Sequence, residues 1–391
     1  MEKLTIGLFG FGVVGEGIYK VLSNKQDLGC IIKKIAIKDT NKKRNAPSSI
    51  FTTSADEILN DKEINLIVEL IDDADAAFNI VCDAMNKGKS VVSANKKMIA
   101  THHLKLIELS KKNNVSFLYE AAVCGSVPII RNLEEYFDND LLIYINGIVN
   151  GSTNYILSKM KNDNLSYENA LSDAKKNGFA ESDPLLDVEG IDAAYKISII
   201  TLHAFGKHVQ TKDVIRKGIT SLKENDFLYA KEKGFVIKLI AKSHLNNKGE
   251  LNNISVLPTF IEKDNSLSNT NNEFNGVMIG SSLANEQFLY GKGAGRYPTS
   301  SAVLSDISAI KYGYRYEYKK GINKNTKYSN EIIKCYVSFD RKVEFNRSIF
   351  NKIIEEYTCE NTQYIIGYLT PELFTKTQLF EDKRISLICY N

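Results

Sequence analysis

Apolar positions in the first third of the chain alternate between two spacings. Short, nearly continuous apolar runs at Leu4–Phe9, Ile31–Ile37, Asn65–Ile71, Lys89–Ser93 and Val115–Glu120 have the length and character of buried strands. Between them Gly15–Ser23, Ala74–Lys87 and Met98–Lys112 carry apolar residues at helical spacing, and Asn41–Asn45 is a basic turn. Strands alternating with helices predict a parallel, doubly wound α/β sheet. From Leu142 the pattern changes. A strand, Leu142–Val149, leads into helical stretches near 152–162, 166–177 and 188–205, and strand-like runs return at Val236–Ala241 and Ile254–Pro258. Asparagine-rich stretches at 246–253 and 264–275 read as surface turns. A glycine-rich segment, Gly291–Gly295, precedes a helical run, Thr299–Tyr312. The tail reads as strand (Ile332–Phe339), helix (Arg347–Tyr357), strand (Gln363–Leu369) and strand (Ile385–Tyr390).

A chain of 391 residues predicts two or three domains. The formal net charge of +3 gives no reason to expect nucleic acid or an anionic membrane as partner. No apolar run reaches the length of a membrane span, and a first strand starting at Leu4 leaves no room for a signal peptide, so a cytoplasmic protein is expected. Six cysteines lie far apart without a CxxC pair, which suits reduced thiols, and five scattered histidines make no metal motif.

The strongest local chemistry is at the beginning. Gly10-Phe11-Gly12-Val13-Val14-Gly15 follows a strand and opens a helix, the context of a dinucleotide fingerprint in a Rossmann-type domain. Gly10 permits the tight turn, Gly12 lets a pyrophosphate approach the backbone, and Gly15 lets helix and strand pack closely. The helix start, with the N–H groups of Val13 and Val14, then faces the phosphates. The second strand ends Lys38-Asp39, followed by Lys42, Lys43 and Arg44. An acid at this place suits the 2′-hydroxyl of NAD and a cation the 2′-phosphate of NADP. Lys38 and the basic turn lean towards NADP and leave NAD open.

A second constellation lies at 181–196. Asp192 and Lys196 are four apart on a helix and share a face, near Glu189 and His203. Reducing an aldehyde with hydride leaves an alkoxide that needs a proton, and a lysine beside the carbonyl can supply it. Spacing alone favours a plainer reading, an exposed ion pair contributing about 0.3–0.5 kcal/mol. The Glu181-Ser182-Asp183-Pro184 approach adds more carboxylates than a simple exposed face requires.

Three segments carry a resemblance: Val91–Lys97 (VVSANKK), Ile145–Leu157 (INGIVNGSTNYIL) and Gly178–Lys196 (GFAESDPLLDVEGIDAAYK). In this order, with the amino-terminal glycines and the late Gly293-Ala294-Gly295-Arg296-Tyr297-Pro298-Thr299, they resemble the signature blocks of homoserine dehydrogenases over roughly residues 4 to 312. The resemblance implies NAD(P)H-dependent reduction of L-aspartate 4-semialdehyde to L-homoserine. It also implies a homodimer or higher homo-oligomer with a small-molecule substrate. By similarity Lys196 is the catalytic proton donor, Glu181, Asp187 and Asp192 hold the substrate, Lys96 reaches nicotinamide and substrate, and Gly293 closes over the cofactor. Glu120, Val123, Gly125 and Val127 match a loop that holds a monovalent cation (Na+ or K+) largely through main-chain oxygens, although Ser126 stands where glycine is common. After the strand ending at Ile71, Asp72-Asp73 stand where similar chains often carry glycines, and two carboxylates there would repel a pyrophosphate.

The implied organisation is a nucleotide domain (1–135, completed by about 298–318) and an α+β substrate and dimerisation domain (136–297). A short tail resembling an abbreviated or degenerate ACT domain follows (325–391). The first strand of the tail ends Ser338-Phe339-Asp340, and the turn that follows, Arg341-Lys342-Val343-Glu344, includes no glycine or proline, so a turn fitted to an amino-acid effector is not expected. Two rival readings are another amino-acid-linked dehydrogenase of similar architecture and a nucleotide sensor without catalysis. The blocks at 150–157 and 181–196 weigh against the first, and Lys96, Glu181, Asp192 and Lys196 together weigh against the second.

Overall fold

The structure, a computed structural model, describes residues 3–24, 29–138, 141–252, 254–329, 331–358, 362–371, 373 and 382–391. They divide into two compact units, Met1–Asp138 with Lys292–Lys319, and Asn139–Gly291 with Lys320–Asn391.

The first unit is built on β1 (Leu4–Phe9), β2 (Cys30–Ala36), β3 (Phe51–Thr52), β4 (Leu66–Glu69), β5 (Ser90–Ser93) and β6 (Phe117–Leu118). All pair in parallel, in the order β3-β2-β1-β4-β5-β6. This is the doubly wound sheet that the alternation predicts. Ile6, Leu8, Leu66, Ile67, Val68, Val91 and Val92 are all buried, as continuous apolar runs must be when helices cover both faces. The order reverses between β1 and β4, and ligands of such sheets bind beyond the carboxyl ends of the strands at that switch.

Each helix start beside the switch has its own device. Asn95 caps Lys96–Asn113 by accepting from Met98 N at 2.9 Å. Asp73 caps Ala74–Asn86, accepting from Asp75 N at 3.1 Å and Ala76 N at 3.0 Å. The Asp73 carboxylate is therefore engaged in its own helix, which explains why an acid is tolerated there. Helix Arg296–Lys311 returns to this unit and packs on Val13–Asn24, with Arg296 paired to Glu16 at 2.9 Å and the Ser300 hydroxyl donating to Val14 O at 3.2 Å.

The second unit holds β7 (Leu142–Ile148), β8 (Ile215–Arg216), β9 (Phe235–His244), β10 (Ser255–Glu262), β11 (Phe274–Ser281), β12 (Asn285–Lys292), β13 (Ile333–Asp340), β14 (Lys352–Thr358), β15 (Thr362–Leu369) and β16 (Ile385–Tyr390). They form one sheet, β12-β11-β7-β9-β10-β16-β13-β15-β14, with β8 alongside β10. Hairpin β11–β12 was not legible as strands, because Asn275, Gly276 and Gly280 interrupt the apolar run. Gly280 serves the sheet, since a Cβ there would lie 2.2 Å from the Tyr144 ring on β7. Helices Gly151–Asn162, Tyr167–Lys176, Leu185–Val188 and Ile191–Phe205 belong to this unit.

The tail corrects one expectation. Arg347–Tyr357 is not a helix: only Arg347–Ile349 make a 3-10 turn, and β14 follows. Ile353, Ile354, Tyr357 and Thr358 are β-branched or aromatic, and pairing with β15 outweighs the weak helical spacing. The strand order β16-β13-β15-β14, all antiparallel, is that of a split βαβ arrangement with its first crossover helix reduced to the 3-10 turn. The tail joins the larger sheet where Thr259 and Phe260 pair in parallel with Cys389 and Tyr390. Buried Asp226 reinforces the junction, accepting from Ser338 Oγ and Ser386 Oγ, each at 2.6 Å.

Candidate active site

The fingerprint turn has the geometry a dinucleotide needs. Gly10 has φ +97°, and a Cβ there would stand 2.9 Å from Leu70 O. At Gly15 a Cβ would come within 2.4 Å of Gly10 O, whereas at Gly12 it would meet open space. So Gly10 and Gly15 are glycines for the chain's own packing, and Gly12 leaves an open approach to the helix start at Val13 and Val14. Beyond β2, Asp39 accepts from Asn41 N at 2.8 Å and is used in its own turn. A cavity of about 510 Å³ is lined by Thr40, Lys42, Arg44, Ser48, Phe51 and neighbouring residues. The Arg44 guanidinium lies 5.6 Å from the Phe51 ring, and its buried Nε has no hydrogen-bond partner. Lys38 is exposed and lies outside that lining.

At the carboxyl ends of β4 and β5 is a network that the sequence pattern did not single out. Glu69 is fully buried, with its carboxyl accepting from Ile71 N at 2.7 Å and bonded to Ser93 Oγ at 2.5 Å. Ser93 Oγ accepts from Asn95 N at 3.1 Å, and Asn95 Nδ2 donates to Ile71 O at 2.9 Å. Burial pushes the Glu69 carboxyl up to about 7 against the pull of these hydrogen bonds. The network fixes the turn from which Lys96 begins its helix. Lys96 is half-buried and Lys97 exposed.

The second unit holds the predicted proton donor, Lys196, and the predicted substrate residues Glu181, Asp187 and Asp192. Lys196 Nζ lies 2.7 Å from Asp192 Oδ2 and donates to Val149 O at 2.7 Å. The two side chains are only 10% and 4% exposed, so the exposed ion pair favoured by spacing alone is not what forms. Asn150 ties the cluster together, its Nδ2 donating to Asp187 Oδ1 at 2.7 Å and Asp192 Oδ2 at 2.8 Å. Its Oδ1 meanwhile accepts from Thr153 N at 2.9 Å and caps helix Gly151–Asn162. The αL residue Gly190 (φ +73°) starts helix Ile191–Phe205 so that Asp192 falls in its first turn, one turn before Lys196. Glu181 is exposed and lies outside this hydrogen-bonded set. An ammonium whose carboxylate and carbonyl acceptors use two of its three protons can present the third to a substrate oxygen.

The loop after β6 is shaped by Glu120. Its carboxylate accepts from Ile129 N, Ile130 N and Arg131 N at 2.6–2.9 Å, and its own N–H donates to Asp306 Oδ2 at 2.9 Å. Burial raises both carboxyls, Asp306 far more. The left-handed residue in this loop is Gly125 (φ +56°), where a Cβ would stand 2.4 Å from Gly293 O; Ser126 is not among the positive-φ residues. Ser126 instead donates from N and Oγ to Lys292 O, each at 3.1 Å. Serine is therefore compatible with this loop. With the Glu120 carboxylate engaged, the oxygens suited to a hard monovalent cation are main-chain ones.

Family models describe the same two parts of the chain: residues 10–120 match the NAD binding domain of homoserine dehydrogenase, and 128–308 match homoserine dehydrogenase itself. The homoserine dehydrogenase of Bacillus subtilis is 37% identical over 319 residues, 79% of this chain and 73% of that protein. The chain belongs to the homoserine dehydrogenase family. The Synechocystis homoserine dehydrogenase is likewise 37% identical, over 78% of this chain and 73% of its own. Among solved structures, the homoserine dehydrogenase from Thiobacillus denitrificans matches with a TM-score of 0.87 at 26% identity, over 100% of this chain and 98% of that one. A hyperthermophilic archaeal homoserine dehydrogenase mutant, solved in complex with NADPH, matches at 0.70 and 27% identity, over 81% of this chain and 100% of that one.

The chain is accordingly an NAD(P)-dependent oxidoreductase acting on a CH–OH group. It interconverts L-aspartate 4-semialdehyde and L-homoserine on the route to threonine and methionine. No helix among the described residues is long and apolar enough to cross a membrane. Asn150 organises the network of the second unit and Glu69 that of the first, and the residue pattern assigns a role to neither. Asn150 lies within the Ile145–Leu157 block, and its cap position before Gly151 is the signal that points to it. Glu69, an acid ending an apolar strand, carried none.

Proposed function

We propose that Lys196 is the proton donor in aldehyde reduction, with Asp192 and Asn150 holding it in place. The observation that carries this reading is the buried ammonium clamped between Asp192 and Val149 O with one proton uncommitted. A bound nicotinamide would supply the hydride to the carbonyl carbon. As charge develops on the carbonyl oxygen, Lys196 stabilises it and then transfers a proton to it. Asp192 and Asp187 hold the substrate, Glu181 takes its ammonium group, and Lys96 serves the nicotinamide and the substrate. Gly10, Gly12, Val13, Val14, Gly15 and Gly293 hold the cofactor. NADP is the preferred form: the basic turn supports this, and Lys38, Lys42 and Arg44 are the cations available to a 2′-phosphate.

The main-chain oxygens of Glu120, Val123, Gly125 and Val127 would hold Na+ or K+ and stiffen their loop. A cytoplasmic homodimer is the assembly we favour. Leu141, Ile143 and Leu283 are exposed by 71%, 43% and 74%, and apolar residues this open near β7 and β11 suit a second copy. Light scattering gives the mass directly, and a monomer would refute the dimer.

The test of the central reading is Lys196→Ala, assayed by NADPH absorbance with aspartate semialdehyde. Turnover should fall roughly 10²–10⁴-fold with cofactor affinity and circular dichroism unchanged. Near-normal turnover would make Lys196 a structural lysine.

A further inference from the structure

Two thiols face each other in the tail, outside everything the dehydrogenase reaction uses. Cys335 on β13 and Cys389 on β16 are directly opposite in the antiparallel register. Their sulfurs are 3.6 Å apart, in contact but not bonded, and both side chains are buried. Facing residues of an antiparallel pair have Cα atoms about 4.5 or 5.5 Å apart. Both values lie inside the range of about 4.4–6.8 Å that a disulfide spans. Joining the sulfurs therefore needs side-chain rotation and no rearrangement of the strands.

The pair also has an entrance. A cavity of about 410 Å³ is lined by Lys242, His244, Leu257, Thr259, Tyr368 and Cys389, among others. Cys335 is not part of that lining and meets the cavity only through its contact with Cys389. Lys242, on β9, interacts electrostatically with both sulfurs. Burial raises the Cys335 thiol, and Lys242 acts against that rise. Burial weakens Lys242's hold on its own proton, and the two thiols act against that; the thiolate is the form of a cysteine that attacks a peroxide.

We propose that Cys335 and Cys389 are an oxidisable dithiol, which a small hydroperoxide entering by this cavity converts to an intrachain disulfide across β13 and β16. The Cys389 thiolate attacks the peroxide, breaking its O–O bond. It becomes a sulfenic acid, and the alkoxide or hydroxide released takes up a proton. Cys335 sulfur then attacks the Cys389 sulfur, expelling the hydroxyl as water with the thiol proton. Two thiols are oxidised, one hydroperoxide is reduced to an alcohol and water, and a thiol reductant reverses the change. The bond fastens β13 to β16, the strand that joins the tail to β10.

The test uses the full reduced chain, treated with tert-butyl hydroperoxide, alkylated with iodoacetamide and digested without reductant. Cys359 lies outside the described residues, so the linkage must be mapped rather than inferred from a thiol count. The expected product has lost two hydrogens and carries a peptide linking Cys335 to Cys389, which dithiothreitol removes. In Cys335→Ser, dimedone should trap a sulfenic acid at Cys389. Full alkylation of both thiols after peroxide, a link through any other cysteine, or dimedone capture only elsewhere would each overturn the proposal.

Discussion

Glu69 offers the most direct test of how the nucleotide unit is built. Its buried carboxyl titrates near 7 against an ordinary value of 4.5, with burial as the largest cause. At about 1.4 kcal/mol per unit, the shift from 4.5 to about 7 corresponds to roughly 3 kcal/mol of preference for the protonated form. Because the folded state holds this proton more tightly than the unfolded chain, the sign is opposite to that of a salt-bridged acid. Below about pH 4.5 the group is neutral in both states and costs nothing. As pH rises from there to about 7 the unfolded chain ionises first and stability is lost; above about 7 the cost is complete. Glu69→Gln keeps an acceptor for Ile71 N and a donor for Ser93 Oγ, so it mimics the neutral acid without a titration. Urea unfolding of wild type and variant, followed by far-ultraviolet circular dichroism between pH 4.5 and 8, isolates this group because other titrations cancel in the difference. The variant should gain on the wild type by roughly 3 kcal/mol across that window. A difference that stays flat with pH would show that Glu69 is not buried as a neutral acid and would refute the reasoning.

Three further outcomes are expected. Asn150→Ser should keep the helix cap but lose the reach to Asp187 and Asp192, while Asn150→Ala loses both. Both variants should therefore lose turnover by about tenfold or more, with the unfolding midpoint lower only for alanine; full turnover in the serine variant would make Asn150 a cap and nothing else. Lys38→Ala and Arg44→Ala should each weaken NADP more than NAD, by about ten- to a hundredfold for a lost charge-assisted contact. Dissociation constants for the two cofactors decide this, and equal losses would remove that side chain from phosphate recognition. Threonine, titrated into the rate assay on the full chain, should leave turnover unchanged at physiological concentration, because the turn after β13 lacks glycine; saturable inhibition would make the tail an effector site.

How much of this protein is legible in residue order depends on whether a property is local. The strand–helix alternation, the glycine turn and the i,i+4 relation of Asp192 to Lys196 are set by chain geometry over a few residues, so residue order alone determined them. Burial is not local. Whether Lys196 is a solvated surface cation or an enclosed ammonium depends on Val149 and Asn150, more than forty residues earlier, and only packing brings them together. Glu69 acquires its raised titration from strands stacked around it, and Asp73 proved harmless because its helix consumes the carboxylate. The tail shows the same division from the other side. Local apolar spacing favoured a helix over Arg347–Tyr357, but an adjacent strand offered a full ladder of hydrogen bonds, and tertiary pairing outweighed so weak a preference. The sequence by itself determined which residues this enzyme has to work with and which elements carry them. The tertiary structure decided which of those residues are desolvated, and charge chemistry responds to solvation rather than to order along the chain.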